Sequence, residues 1–360
     1  MTEESYIKLT LEIAKKGLGK VSPNPLVGCV IVKNQKIIGA GFHQKYGEAH
    51  AEINAIKNAT ESIKDATLYV NLEPCAHFGK TPPCVDELIN QKIKKVVIGT
   101  LDSNPLVAGK GVEKLLSNGI EVKVGVLEDE CKELNKFFFN FIEKKIPYVT
   151  LKAAQTIDSK IADTFGESKW ISSKESRKFV HEMRSKYDAV LVGANTVLKD
   201  DPKLDVRLIE GRNPKRLILD ARLRIKLTSS ILNSEKNVTI ITSKNAMLKR
   251  KKIEQLKKLG VNLFFIKNIN EHEIDIKSML KTLAKNNVTS LLVEGGGKVF
   301  SSFLNAKLFN EIRLFLAPKI LGNGINTFGD LGNNKIEDAL KLRINKFEKI
   351  GDDIMIDFRR

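Results

Sequence analysis

The 360-residue chain is sparing with the residues that most often carry chemistry: four cysteines, five histidines, one tryptophan and 6% aromatics. No apolar run reaches eighteen residues, which argues against a helical membrane span. The opening stretch MTEESYIKLTLEIAKKG is acidic, then amphipathic, and lacks the apolar segment of an export signal. The expected location is therefore the cytoplasm, where thiols stay reduced and scarce cysteines favour metal or catalysis over disulfides. Few aromatics and no interleaved aromatic–basic motif argue against a nucleic-acid surface. The formal charge of +17 permits phosphorylated ligands. Its densest basic stretch, residues 247–260, has the spacing of an exposed amphipathic helix.

What is present is an α/β pattern, twice. In residues 1–146, helical periods at 6–17, 47–59, 85–92 and 110–119 alternate with strand-like runs. The strands are two within 27–41 that turn at 33–35, then 66–72, 94–100 and 120–127. A second run, 147–360, opens with a strand at 147–158 and a helix at 175–186. Further strands follow at 188–193, 216–220, 237–242, 262–266, 289–295 and 311–318. Such alternation implies layered α/β sheets, and the length suits two domains, 1–146 and 147–360.

The scarce residues are concentrated. NLEPCAHFGKTPPC (71–84) holds two cysteines and a histidine, and AHAEINAI (49–56) puts His50 two residues before Glu52. A zinc deaminase needs three protein ligands, an open position and a carboxylate that does not bind the metal. His50, Cys75 and Cys84 supply the ligands and Glu52 the carboxylate; His77 competes with His50 but brings no acid. Residues two apart on a helix lie about 200° apart. His50 and Glu52 therefore converge only at a helix's first turn, where the positive N-terminus would favour an ionised carboxylate. A purely structural zinc clip closes with four ligands and close-spaced cysteines, whereas here a spare acid stands beside the histidine. Zinc lowers the pKa of water from about 16 to about 7, and Glu52 would carry protons to a ring nitrogen and to departing ammonia. Cys29, in an apolar strand, and Cys131, in a helix-like run, are expected to be inert thiols.

These motifs, with SPNPLVG (22–28), GFHQKYGEAHAE (41–52) and EPCAHFGKTPPC (73–84), resemble the deaminase half of the bifunctional riboflavin-biosynthesis deaminase–reductase family. DSNPLVAGKG (102–111) looks like another pocket loop, with Ser103 where that family more often has proline. The resemblance implies a cytidine-deaminase-like α/β/α layered domain holding one Zn²⁺. Its substrate would be 2,5-diamino-6-ribosylamino-4(3H)-pyrimidinone 5′-phosphate, with Asn24 on the pyrimidine and Lys80 beside the pocket.

In the second half, LLVEGGGKVFSSFL (291–304) joins a strand to a helix through three glycines, a turn that lets amides approach a phosphate. Phe300 stands where a Rossmann fingerprint needs its third glycine. Residues 167–207 and FLAPKILGNG (315–324) resemble the reductase half of the same family. That half is dihydrofolate-reductase-like, uses NADPH, and reduces the ribosyl group of 5-amino-6-(5-phosphoribosylamino)uracil to ribityl. By matching position, the resemblance implies NADPH contacts at Ala154, Trp170, Thr196, Asp200, Gly296, Gly297, Lys298, Val299, Phe300, Ser301 and Ser302. It implies substrate contacts at Ser168, Arg184, Leu204, Arg207 and Glu294.

Arginine forks suit a 5-phosphate, and Lys152 would add a point charge. Trp170 reads as a stacking ring or as a core anchor, Arg184 also as a solvated helix residue, and Asp200 and Asp201 also as turn caps. Ser159 replaces a common glycine, and Ala221 stands where serine is common near the cofactor. No catalytic acid is assigned here, because the cofactor carries the hydride chemistry. The expected molecule is a bifunctional homo-oligomer. The competing reading is a single-function zinc nucleobase deaminase with a non-catalytic substrate- or RNA-binding second half.

Overall fold

The computed structural model describes every residue except 80, 81, 105, 106, 234–236, 271, 272 and 333. The chain divides into two units, Met1–Lys145 and Ile146–Arg360.

The first unit is built on a five-stranded sheet of order β2-β1-β3-β4-β5. Its strands are β1 (Gly28–Lys33), β2 (Lys36–Phe42), β3 (Thr67–Leu72), β4 (Lys95–Thr100) and β5 (Glu121–Val124). β1 is antiparallel to both its neighbours, and β3, β4 and β5 are parallel. The helices are α1 (Glu3–Ala14), α2 (Ala51–Lys57), α3 (Cys84–Asn90), α4 (Lys110–Ser117), α5 (Glu128–Leu134) and α6 (Lys136–Lys144). Successive strand side chains point to opposite faces, and both faces are covered. Cys29, Ile31, Leu68 and Val96 pack with Ala55 of α2 and Leu88 of α3. Val30, Val32, Tyr69 and Val97 pack with Ile7 of α1 and Cys131 of α5. Burial on both sides explains why these strands read as unbroken apolar runs.

The second unit carries a nine-stranded sheet. In chain order its elements are β6 (Tyr148–Thr156), β7 (Lys160–Ala162), α7 (Lys174–Lys186), β8 (Ala189–Gly193), α8 (Ala194–Asp200), β9 (Lys215–Leu219) and α9 (Ser230–Asn233). There follow β10 (Val238–Ser243), α10 (Arg250–Lys258), β11 (Asn262–Ile266), α11 (Ile276–Lys285), β12 (Ser290–Val293), α12 (Gly297–Asn305), β13 (Glu311–Ala317), β14 (Ile325–Asn326), β15 (Arg343–Ile350) and β16 (Asp353–Arg359). The sheet order is β11-β10-β9-β8-β12-β6-β13-β16-β15, with β7 and β14 forming a separate pair. Pairing is parallel from β11 to β13, and the β15–β16 hairpin closes the sheet antiparallel. From β8 the chain steps outward through β9, β10 and β11, then returns to place β12 between β8 and β6. That reversal opens a crevice at the strands' carboxyl ends, where α/β sheets bind ligands.

In the first unit two buried asparagines fix the segment entering β1. Asn71 accepts from the Gly28 amide at 2.8 Å and donates to the Leu26 carbonyl at 2.9 Å. Asn135 accepts from the Leu26 amide at 2.7 Å and donates to the same carbonyl at 2.9 Å. Gly28 has no substitute here, because a Cβ would lie 2.1 Å from the Thr10 carbonyl oxygen. The clamp sets where Asn24, four residues earlier, must sit. Replacing Asn71 with alanine strands the Gly28 amide in the interior, so Asn71→Ala should lower stability by about 1–3 kcal/mol in urea unfolding.

Candidate active sites

The carboxyl ends of β2 and β3 lead into the first site. His50 is the residue that caps α2, Glu52 lies in that helix's first turn, Cys75 follows β3, and Cys84 opens α3. The His50 Nδ1 atom is 3.5 Å from Cys75 Sγ and 3.3 Å from Cys84 Sγ. All three donor atoms lie within 4.8 Å of one another. Tetrahedral zinc with ordinary Zn–S and Zn–N bonds requires S···N separations of about 3.5 Å, so the donor set and its spacing both fit zinc. Among the described residues no fourth metal-binding side chain joins the group. His77 lies outside it, with a buried Nδ1 that has no partner among the described residues.

Local electrostatics suit a thiolate site. Cys75 ionises well below a free thiol because the Cys84 side chain and His50 bond to it, and the Cys84 amide donates to its sulfur at 3.4 Å. Glu52 is 3% exposed. Burial pushes its carboxyl up to about 7, although His50 opposes the shift. Removal of the carboxylate from water thus acts against the first-turn dipole expected to favour its ionised form. Cys29 and Cys131 are fully buried thiols pushed upward by burial, Cys131 to about 12.

Two contacts escaped the sequence reading. His43 donates or accepts between the Asn24 amide group, at 3.1 Å from Nε2, and the Ala49 carbonyl, at 3.1 Å from Nδ1. Because a carbonyl only accepts, Nδ1 carries the proton, and Nε2 accepts from Asn24. Burial keeps the ring neutral. Asn24 is therefore tied to the backbone beside His50. Glu73, buried beneath the site, accepts from the amides of Asp102 (3.2 Å), Gly109 (3.0 Å), Gly111 (2.9 Å) and Val112 (3.3 Å). One carboxylate thus shapes the loop that the DSNPLVAGKG motif marks. The EPC triplet signals this residue, but its amide partners lie 29 to 39 residues away. Lys80 lies outside the described residues.

The second unit holds a cavity of about 2360 Å³. Ala154, Trp170, Thr196, Asp200 and the turn from Gly296 to Ser302 all line it, as do Lys152, Ser168 and Glu294. The Gly193 amide donates to the Gly295 carbonyl at 3.0 Å, joining the ends of β8 and β12. Gly295 has φ +134°, a conformation that only glycine adopts readily. α12 opens on Gly296 without a side-chain cap, leaving first-turn amides for an anion. Trp170 is 68% exposed, which rules out a core anchor; the Arg177 guanidinium stacks 4.6 Å from its ring centre. Ser168 donates to Asp200 at 3.3 Å, and Asp201 accepts from the Ser230 amide and hydroxyl.

Three expected substrate contacts stand apart from the cavity. Arg184 is neither a solvated helix residue nor a free phosphate fork. It grips Glu294 through two bonds of 2.6 and 2.8 Å and donates to the Asp205 carbonyl at 3.0 Å. The Leu204 side chain is buried in the core on φ +55° backbone. Arg207 pairs with Asp205, while its amide donates to His181 Nδ1 at 3.1 Å. Lys152, half-buried beside Glu294, is less basic than a free lysine because its surroundings desolvate its charge.

A cysteine–histidine metal centre beside a buried acid in one unit, and a phosphate-type turn over a large crevice in the other, define a two-site α/β enzyme. Residues 1–100 match the cytidine and deoxycytidylate deaminase zinc-binding region, and residues 147–356 match the RibD C-terminal domain. The chain is 49% identical over 359 residues to riboflavin biosynthesis protein RibD of Aquifex aeolicus, covering 99% of this chain and 98% of that one. It is similar to the crystal structure of a Thermotoga maritima diaminohydroxyphosphoribosylaminopyrimidine deaminase/5-amino-6-(5-phosphoribosylamino)uracil reductase. That likeness has a TM-score of 0.87 at 44% identity, covering 99% and 98% of the two chains. Acinetobacter baumannii RibD gives a TM-score of 0.89 at 37% identity, with the same coverage. The chain belongs to the RibD family of riboflavin-biosynthesis proteins. Its first unit is cytidine-deaminase-like and its second dihydrofolate-reductase-like.

Glu73→Gln removes the charge and turns one acceptor oxygen into a donor facing two amides. Hydrogen exchange at Asp102, Gly109, Gly111 and Val112 should accelerate, with a stability loss on the order of 2 kcal/mol or more. His181 accepts through Nδ1, and burial holds its pKa down to about 4. The unfolded chain therefore takes up a proton near pH 6.5 that the folded chain refuses. Stability should be intact above pH 6.5 and fall as pH drops from there to about 4, and His181→Gln should flatten that part of a urea-midpoint-versus-pH curve.

Proposed function

We propose that the chain catalyses two consecutive steps of riboflavin biosynthesis. In the first, 2,5-diamino-6-ribosylamino-4(3H)-pyrimidinone 5′-phosphate is hydrolytically deaminated in residues 1–146. In the second, the ribosyl group of 5-amino-6-(5-phosphoribosylamino)uracil is reduced to ribityl with NADPH in residues 147–360. The observation that carries this reading is the triangle of His50, Cys75 and Cys84 with Glu52 buried against it. The competing reading, a non-catalytic second half, is disfavoured by relatives matched over both halves and by the glycine turn over its crevice.

His50, Cys75 and Cys84 hold the metal, which when bound supplies the Lewis acidity that makes water nucleophilic near neutral pH. Glu52 takes a proton from the attacking water as oxygen bonds to the amino-bearing ring carbon, and passes it to the ring nitrogen. The second proton passes by way of Glu52 from the newly added hydroxyl to the amino group, which departs as ammonia while the C–N bond breaks and the oxygen becomes the carbonyl. A carboxyl poised near neutrality can do both. Asn24, oriented by His43, holds the pyrimidine.

In the second unit the Gly296–Ser302 turn binds the pyrophosphate of NADPH, which supplies the hydride. Trp170, Thr196, Asp200 and Ala154 complete its walls. Glu294, locked by Arg184, and Lys152 face the sugar, and Ser168 adds a hydroxyl. With its fork committed, Arg184 serves the substrate by holding Glu294. No described helix is long and apolar enough to cross a membrane, and the proposal extends to a cytoplasmic homo-oligomer.

Supplying the diaminopyrimidine phosphate with and without NADPH tests the order of steps. Ammonia release should persist without cofactor. Glu52→Gln should retain zinc by elemental analysis, lose ammonia release by about 10²-fold or more, and still oxidise NADPH when given the deaminated product. No oxidation with that product would restrict the function to deamination. Undiminished ammonia release by the variant would remove Glu52 from the mechanism.

A further inference from the structure

The crevice does not stop at the glycine turn. It continues past the end of β8 to the end of β9, where Leu219, Ala221, Arg222 and Arg224 form its wall. β9 lies two strands from β12 in the sheet. At ordinary strand spacing the two strand ends are therefore roughly 10 Å apart. That is the scale separating a dinucleotide's pyrophosphate from the 2′ position of its adenosine ribose.

The charges at this strand end are sorted. A carboxylate there would bond the ribose hydroxyls of an unphosphorylated dinucleotide, whereas an arginine accommodates a 2′-phosphate. Asp220 is the carboxylate in the right place, but it is 1% exposed. It faces inward, accepting from the Arg224 and Ile225 amides and lying 3.8 Å from Arg224 Nε. Arg224 is exposed and held in place by Asp220 and by its bond to Asn195 Oδ1 at 2.7 Å. Arg222 is exposed too, and its guanidinium has no hydrogen-bond or ion-pair partner among the described residues. The acids across the crevice are engaged: Asp275 caps α11 by accepting from the Lys277 amide at 3.0 Å, and Glu273 accepts from Asn270 at 2.9 Å.

We propose that Arg222, with Arg224 orienting the same strand end, is the residue by which this chain selects a 2′-phosphorylated nicotinamide dinucleotide over its unphosphorylated counterpart. Ala221 offers no hydroxyl to the phosphate, so discrimination falls on the guanidinium. This rests on the reductase reading above, and binding measurements separate the two. Trp170, the only tryptophan, lines the crevice, so its fluorescence should report dinucleotide binding.

The wild-type chain should bind NADPH at least about tenfold more tightly than NADH, as expected for one charge-assisted contact. Arg222→Ala should weaken NADPH about tenfold and leave NADH within about twofold; Arg222→Lys should recover part of the loss, since a point charge survives without the fork. Calorimetry with adenosine 2′,5′-bisphosphate and with 5′-AMP should show the same contrast, shrinking as salt rises. An unchanged NADPH-to-NADH ratio in Arg222→Ala, or equal weakening of both, overturns the assignment and leaves the reductase reading standing. Failure of the wild-type chain to bind either dinucleotide overturns both.

Discussion

The central strands of each sheet are buried on both faces, and that burial decides where chemistry can occur. With their side chains covered above and below, the open ground is at the strands' carboxyl ends and the helix starts that follow. The proposed metal ligands, Glu52 and the glycine turn all occupy such positions. The two units have different strand orders, five and nine strands long, yet obey the same constraint. Buried polar anchors then aim what the strand ends expose. Glu73 does this for the deaminase loop, Asn71 and Asn135 for the segment carrying Asn24, and Arg184 for Glu294.

Much of this was legible in the chain. Strands covered on both sides are runs of valine, isoleucine and leucine, and β1, β3, β4 and β8 can be read off within a residue or two. The metal cluster was legible because cysteine and histidine are scarce, so a close grouping stands out. The choice of His50 needed only the turn geometry of a helix and a neighbouring acid. The glycine turn was weaker evidence, since three glycines serve any tight turn, and its meaning came from the neighbouring segments.

What escaped has physical causes. β15 is exposed along most of its length, so charged and polar residues dilute its alternation, and the hairpin it forms with β16 gave little signal. The strand expected through 127 stops at Val124, because Gly125 (φ +92°) and then Leu127 (φ +56°) turn left-handed ahead of α5. Sequence reveals the Arg184 guanidinium, expected as a substrate contact, but not the carboxylate 110 residues away to which it bonds. The role of Glu52's burial was hidden for the same reason. Local sequence shows a helix terminus, and only the packed fold shows that water is gone.

The Asn135 clamp has a consequence for the boundaries of the deaminase half. The zinc-binding region common to cytidine and deoxycytidylate deaminases ends at residue 100, yet the side chain that holds Leu26 comes from between α5 and α6. Those helices also bring Cys131 against the sheet face formed by Val30 and Val97. A polypeptide severed after residue 100 would keep every proposed zinc ligand while losing one wall of its interior and half the grip on its pyrimidine-side segment. The minimal autonomous deaminase is therefore set by a hydrogen bond spanning 109 residues, and not by the reach of the metal motif.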